Sequence, residues 1–246
     1  MLRDKATIGN AFQEIAAKSW ETCENELERI RQLILLIPRF ETTMREYRNK
    51  EPEICFNSLV DACYVECARI SGHILFLTSN ALYKNAYDDI RYLLESIVQS
   101  FYLDTGHKDS DLKTKIEIWK EIEGRREYRA QNLIGKLDLG AQAEQKAKLE
   151  KEYSTLSQRI HFSHKQVLVT LKDLQSDVDQ GIPAKIDCNE VENVFNSTKT
   201  AYDIFFLLII ITFPQIRGML EKNSSFIEHI QKFRIPLLCK VFGLSC

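Results

Sequence analysis

Arg159, His161 and His164 fall together in the segment Tyr153-Ser-Thr-Leu-Ser-Gln-Arg-Ile-His-Phe-Ser-His164. Ser157 stands one helical turn before His161. Two of the chain's five histidines are here, beside a permanent cation. A guanidinium holds phosphate well, and an imidazole can move a proton near neutral pH. Ser157, His161 and His164 lie at i, i+4 and i+7, so they share one face of a continuous helix. Arg159 and His164 do not. At about 100° per residue they point roughly 140° apart and converge only where the helix ends or bends.

A second polar pair stands upstream. Arg91 and Glu95 lie at i, i+4 beside an apolar stripe. A charge in that position needs a partner. Three uses stay open: an Arg91–Glu95 pair that stabilises the bundle, Glu95 orienting His161, or both residues in a site.

These patterns resemble a known family. The run Arg159-Ile-His-Phe-Ser-His164 is similar to the Arg-x4-6-His signature of the HEPN superfamily, small helical bundles that include metal-independent RNases. Leu156-Ser-Gln-Arg-Ile-His161 resembles the Leu-Ser-x-x-x-His segment of uncharacterised helical proteins grouped with HEPN and abortive-infection proteins. Arg91-Tyr-Leu-Leu-Glu95 resembles their upstream Arg-x-x-Leu-Glu helix. The likeness spans about Leu59 to Phe213. It implies an all-α, up-down, HEPN-like bundle that binds RNA or nucleotides, with metal-independent endoribonuclease activity in a toxin or phage-defence setting. It implies no metal or other cofactor, and a homodimer in which two motifs face one another. Arg159 would hold the scissile phosphate. His161 or His164 would serve as acid or base at the ribose 2′-OH and the leaving oxygen. Arg91, Glu95 and Ser157 would support them. The competing reading is a non-catalytic interaction module whose polar cluster is structural.

The elements that must position these residues read as helices throughout. Pro and Gly are sparse, and no proline falls between Pro52 and Pro183. The first helix is expected from Ala6 to Leu36, broken near Ser19 and ended by Pro38, with Phe40–Lys50 as a short helix or loop. Asn57 or Ser58 can cap a helix reaching Ser79. Asn80 to Asn85 reads as a turn before a helix over Ala86–Asp104. Its Ile90, Leu93, Leu94, Ile97, Val98 and Phe101 form an i, i+3, i+4, i+7 stripe. A charged helix is expected over Asp111–Lys136, and another from about Ala141 into the His161–His164 segment. Gln175 to Asn189 reads as a loop, and Asn189 as the cap of a final core helix through Phe213. This gives three parts: an N-terminal extension over 1–57, a core over 58–214 and an amphipathic tail over 215–246.

Bulk properties narrow the classes. The chain of 246 residues is 44% hydrophobic and 28% charged, as a globular protein is. Its net charge of −2 provides no global field for nucleic acid, so an anion site must be local. The N-terminus lacks the apolar core of a signal peptide. The longest apolar run, Ile204–Phe213, is about half a bilayer span and reads as the most buried helix. A cytoplasmic protein with no membrane span is expected. The seven cysteines are odd in number and show no framework, which fits reduced thiols. Cys63 and Cys67, with His73 near, suit buried apolar thiols better than a metal pair. Arg125, Arg126 and Arg129, interleaved with Glu121, Glu123 and Glu127, read as a solvated helix face, with RNA contact as the alternative. The basic, apolar tail can pack on the bundle, dock a protein partner or lie on a membrane. His73, His107 and His229 have no assigned role. No dinucleotide, P-loop, zincin or serine-hydrolase motif occurs.

Overall fold

A computed structural model describes residues 5–137, 139, 145–160 and 185–245. The fold is an all-α multi-helix bundle, and the described residues contain no strand. We number its α-helices in chain order: α1 (Lys5–Thr22), α2 (Glu24–Ile34), α3 (Leu36–Lys50), α4 (Pro52–Phe56), α5 (Leu59–Ser79), α6 (Tyr83–Gly106), α7 (Leu112–Ile122), α8 (Ala130–Ile134), α9 (Gln145–Ile160), α10 (Cys188–Thr212), α11 (Ile216–Leu220), α12 (Ser224–Phe233) and α13 (Pro236–Val241).

The centre is the α5–α6 hairpin with α10 packed along α6. Ser58 caps α5, its hydroxyl accepting from Asp61 N at 3.2 Å. Three residues then reverse the chain into α6, with Ala81 in the left-handed region at φ 56°. The expected stripe on α6 is fully used: Ile90, Leu93, Leu94, Ile97, Val98 and Phe101 are all buried. Every residue from Ala201 to Ile210 is buried too, which makes α10 the most enclosed helix. It is long and apolar enough to cross a membrane, but 78% of that window lies inside the bundle.

Core residues come from all parts of the chain. Leu27, Ile30 and Leu33 of α2 and Phe226, Ile230 and Phe233 of α12 join the same cluster as α5, α6 and α10. The apolar face of the tail is therefore spent on the bundle. Phe40, Phe206 and Phe226 meet with ring centroids 4.7–6.2 Å apart. Each buried aromatic side chain of this size contributes about 1.5–3 kcal/mol.

Several expected boundaries move. The first break falls at Cys23 rather than Ser19. Pro38 does not end a helix; it sits in the first turn of α3, where its missing N–H has no helical partner to lose. Asp111–Lys136 is not one helix. It ends at Ile122, and Gly124 turns the chain at φ 79° before a 3-10 turn over Arg126–Tyr128. The i, i+4 pairs expected of Arg125, Arg126 and Arg129 therefore have no helix to form on, although all three face solvent. The cap of α10 is Asp187, whose carboxylate accepts from Asn189 N at 2.9 Å.

The thiols are the largest correction. Cys23 is disulfide-bonded to Cys188 across 165 positions, with Cα atoms 5.4 Å apart. The bond ties the α1–α2 junction to the first residue of α10. Cys239 is disulfide-bonded as well. Spacing cannot reveal such a long-range pair.

Candidate functional site

The central hairpin fixes a cleft between α5, α6, α7 and α8. Its volume is about 500 Å³. Aromatic rings contribute much of the wall: Tyr92, Tyr102, Trp119 and Tyr128. Arg125 and Arg129 enter from the turn that Gly124 makes, and Glu66, Glu95 and Glu123 supply carboxylates. Ser100 also lines it, its hydroxyl buried beside the Cys63 thiol. Guanidinium, carboxylate, hydroxyl and ring thus converge on one concavity, as small-molecule and nucleotide sites require.

Glu95 links this cleft to the polar cluster. Its Oε1 accepts from Arg91 Nε at 2.8 Å and from the Tyr153 hydroxyl at 2.6 Å. Arg91 Nη2 also donates to Tyr153 Oη at 3.4 Å, and the guanidinium lies 5.6 Å from the ring centroid. Glu95 Oε2 has no partner among the described residues. Burial opposes the charge on Arg91, yet Glu95 outweighs it and holds the guanidinium more basic than usual. Burial, with the bond to Glu95, raises the Tyr153 phenol. The structure thus joins Arg91 to Glu95 and adds Tyr153, which the sequence marks only as the first residue of the His161–His164 segment.

Ser157 lies one turn beyond Tyr153 and is half-buried. Arg159 is the penultimate residue of α9, with its side chain outside the described set. His161 and His164 lie outside the described residues altogether. Tyr153 ties α9, which carries Ser157 and Arg159, to Glu95 of α6.

The remaining candidates have structural explanations. Cys63 and Cys67 face the core, where burial pushes the Cys63 thiol up to about 12 and Cys67 higher still. His73 points outward instead, its Nδ1 2.6 Å from Asp89. No group of three or more His, Cys, Asp or Glu forms a metal-binding cluster among the described residues. His229 is buried: Nε2–H donates to the Gln32 carbonyl at 2.6 Å, and Nδ1 faces the Arg39 guanidinium.

Two buried aspartates escaped sequence reasoning. Asp104 accepts from Leu59 N at 3.1 Å, Val60 N at 3.0 Å, Ser58 Oγ at 2.6 Å and Lys115 Nζ at 2.9 Å. Asp203 accepts from Leu237 N and Leu238 N at 2.9–3.0 Å and from Lys148 Nζ at 2.9 Å. Each carboxylate caps the start of another helix and binds a lysine. Burial raises the Asp203 carboxyl despite Lys148 and those amides. No residue spacing marks such long-range caps.

Compared with family models, characterised proteins and solved structures, the chain matches none.

Proposed function

We propose that this protein binds RNA or a nucleotide in the aromatic cleft and cleaves RNA without a metal, as a HEPN-like endoribonuclease of a toxin or phage-defence system. The observation that carries the reading is Glu95. It lines the cleft, and through Tyr153 it holds the helix bearing Ser157 and Arg159. Arg125 and Arg129 suit phosphate, and the four rings suit stacked bases. The carboxylates can accept from base amino groups or ribose hydroxyls. In this scheme Arg159 offsets charge on the scissile phosphate. His161 or His164 takes the 2′-OH proton and the other protonates the leaving oxygen. The attacking oxygen belongs to the RNA itself.

Trp119 supplies the test. In a Trp20→Phe background its emission should respond to single-stranded RNA, with affinity that falls as salt rises. Arg125→Ala with Arg129→Ala should weaken binding about tenfold or more. Cutting should persist in EDTA and vanish in His161→Ala/His164→Ala, with binding kept. Absence of any salt-dependent RNA binding would sink the proposal.

One observation favours a second reading, a non-catalytic interaction module. Arg91, Glu95 and Tyr153 bond one another through Glu95 Oε1, as members of a structural cluster do.

A further inference from the structure

We propose that Lys199 is a reactive amine that condenses reversibly with a small carbonyl compound bearing a phosphate group. The proposal stands independently of what the cleft binds. Glu192, Lys199 and Asp203 lie at i, i+7 and i+11 on α10, so they share one face of the helix. Helix α9 brings Lys148 to that face, and α2 brings Arg29. Each arriving cation takes one carboxylate. Lys148 Nζ donates to Asp203 Oδ2 at 2.9 Å, and Arg29 Nη1 donates to Glu192. Asp203 is further engaged by the Leu237 and Leu238 amides, and Glu192 by the Asn196 amide at 3.1 Å. Lys199 is left between the two pairs. It is half-buried and has neither a hydrogen bond nor an ion pair among the described residues.

Three cations thus meet two carboxylates, and Lys199 is the one without a bonded counter-charge. Burial lowers its basicity most; Lys148 and Arg29 act in the same direction, against Asp203 and Glu192. A desolvated amine beside other cations keeps more of its nitrogen lone pair free at neutral pH, as imine-forming lysines do. The flanking cations also identify the ligand. Lys148 and Arg29 together suit a dianion, so the carbonyl compound carries phosphate. Arg29 has a side chain 47% exposed and lies 4.1 Å over the Phe195 ring, which leaves it open to an anion as well as to Glu192. In the reaction the Lys199 lone pair adds to the carbonyl carbon, and a proton passes from nitrogen to the new alkoxide. That hydroxyl leaves as water with one solvent proton, which gives the protonated imine. Water reverses both steps.

Pyridoxal 5′-phosphate, an aldehyde with a phosphate group, is the probe. Borohydride traps the imine on the intact chain, and peptide mass mapping identifies the lysine. Near neutral pH, Lys199 should be labelled ahead of every other lysine. At constant ionic strength, inorganic phosphate should slow labelling of Lys199 about tenfold and leave the surface lysines unchanged. The pH profile of Lys199 labelling should turn over below that of the surface lysines. Arg29→Met should move that profile upward in pH and weaken the protection by phosphate. Uniform labelling of the lysines overturns the proposal, and the wild type alone decides this. So does Lys199 labelling that is indifferent to phosphate, or a profile and protection that Arg29→Met leaves in place.

Discussion

Asp104 and Glu95 are carboxylates on the same helix, about two and a half turns apart, yet their surroundings differ in kind. Asp104 is 7% exposed and receives two backbone amides, a hydroxyl and an ammonium. Its lone pairs are occupied. Glu95 has a side chain 30% exposed, takes both its bonds on one oxygen and turns toward an open cleft. The first geometry leaves no room for a ligand and ties three segments of chain together. The second holds an acidic side chain in place while leaving one oxygen without a partner among the described residues. Burial and complete satisfaction mark a structural charge, and partial satisfaction beside a cavity marks one that can do chemistry.

The sharpest way to break this contrast is to remove Asp104. Asp104→Ala strips the start of α5 of its acceptor and leaves Lys115, itself 4% exposed, without a counter-charge. Losing one member of a buried pair costs about 3–5 kcal/mol. Urea unfolding should show that loss. A cost under about 1 kcal/mol would mean that burial does not distinguish the two carboxylates.

The disulfide gives the next effect. It closes a loop of 165 positions between the α1–α2 junction and α10. Cys23→Ala should lower stability by about 2–5 kcal/mol, and reductant should cost the wild type more than the variant, which keeps only the Cys239 bond. Equal sensitivity of both proteins to reductant would assign the effect elsewhere. The bond also removes a premise. An odd cysteine count argues for reduced thiols and a reducing compartment only while no pair is formed.

His229 adds a pH-dependent term. Burial first, and Arg39 second, depress its pKa from 6.5 to about 4. Above pH 6.5 it is neutral folded or unfolded. Between those values the unfolded chain takes a proton that the folded site refuses, so stability falls with pH until about 4 and then levels. The full loss is on the order of 3 kcal/mol. His229→Gln should flatten this limb of the acid unfolding curve relative to the wild type. Parallel curves for the two proteins would refute the assignment.

Helices were legible where period and cap agreed. Ser58 with the α5 pattern predicts Leu59–Ser79, and the stripe on α6 names six residues that are all buried. The errors came where one residue type carries two meanings. Pro38 can stop a helix or open one, and Gly124 marks a stop only when its φ turns positive. The Arg91–Glu95 pair was legible from its i, i+4 spacing. Tyr153, Asp104 and Asp203 were not, because their partners lie far away in sequence. A periodic pattern reports which face is buried but not which polar atom meets it. The cleft was hidden for the same reason: its walls come from four helices and a turn.

The smallest expected effect on stability decides most about the site. Arg91 and Glu95 have side chains 26% and 30% exposed, so their pair contributes only about 0–1 kcal/mol. Glu95→Gln keeps the shape and an acceptor for Tyr153 while removing the charge. Under the open-site reading, unfolding changes by less than about 1 kcal/mol, while Trp119 emission reports altered RNA affinity. Under the structural reading the order reverses: stability falls toward the Asp104→Ala value and RNA affinity does not move. Measured on one protein, the two numbers separate a carboxylate that holds the bundle from one that faces a ligand. That distinction cannot rest on the hydrogen bonds alone, because Glu95 makes good ones in either case.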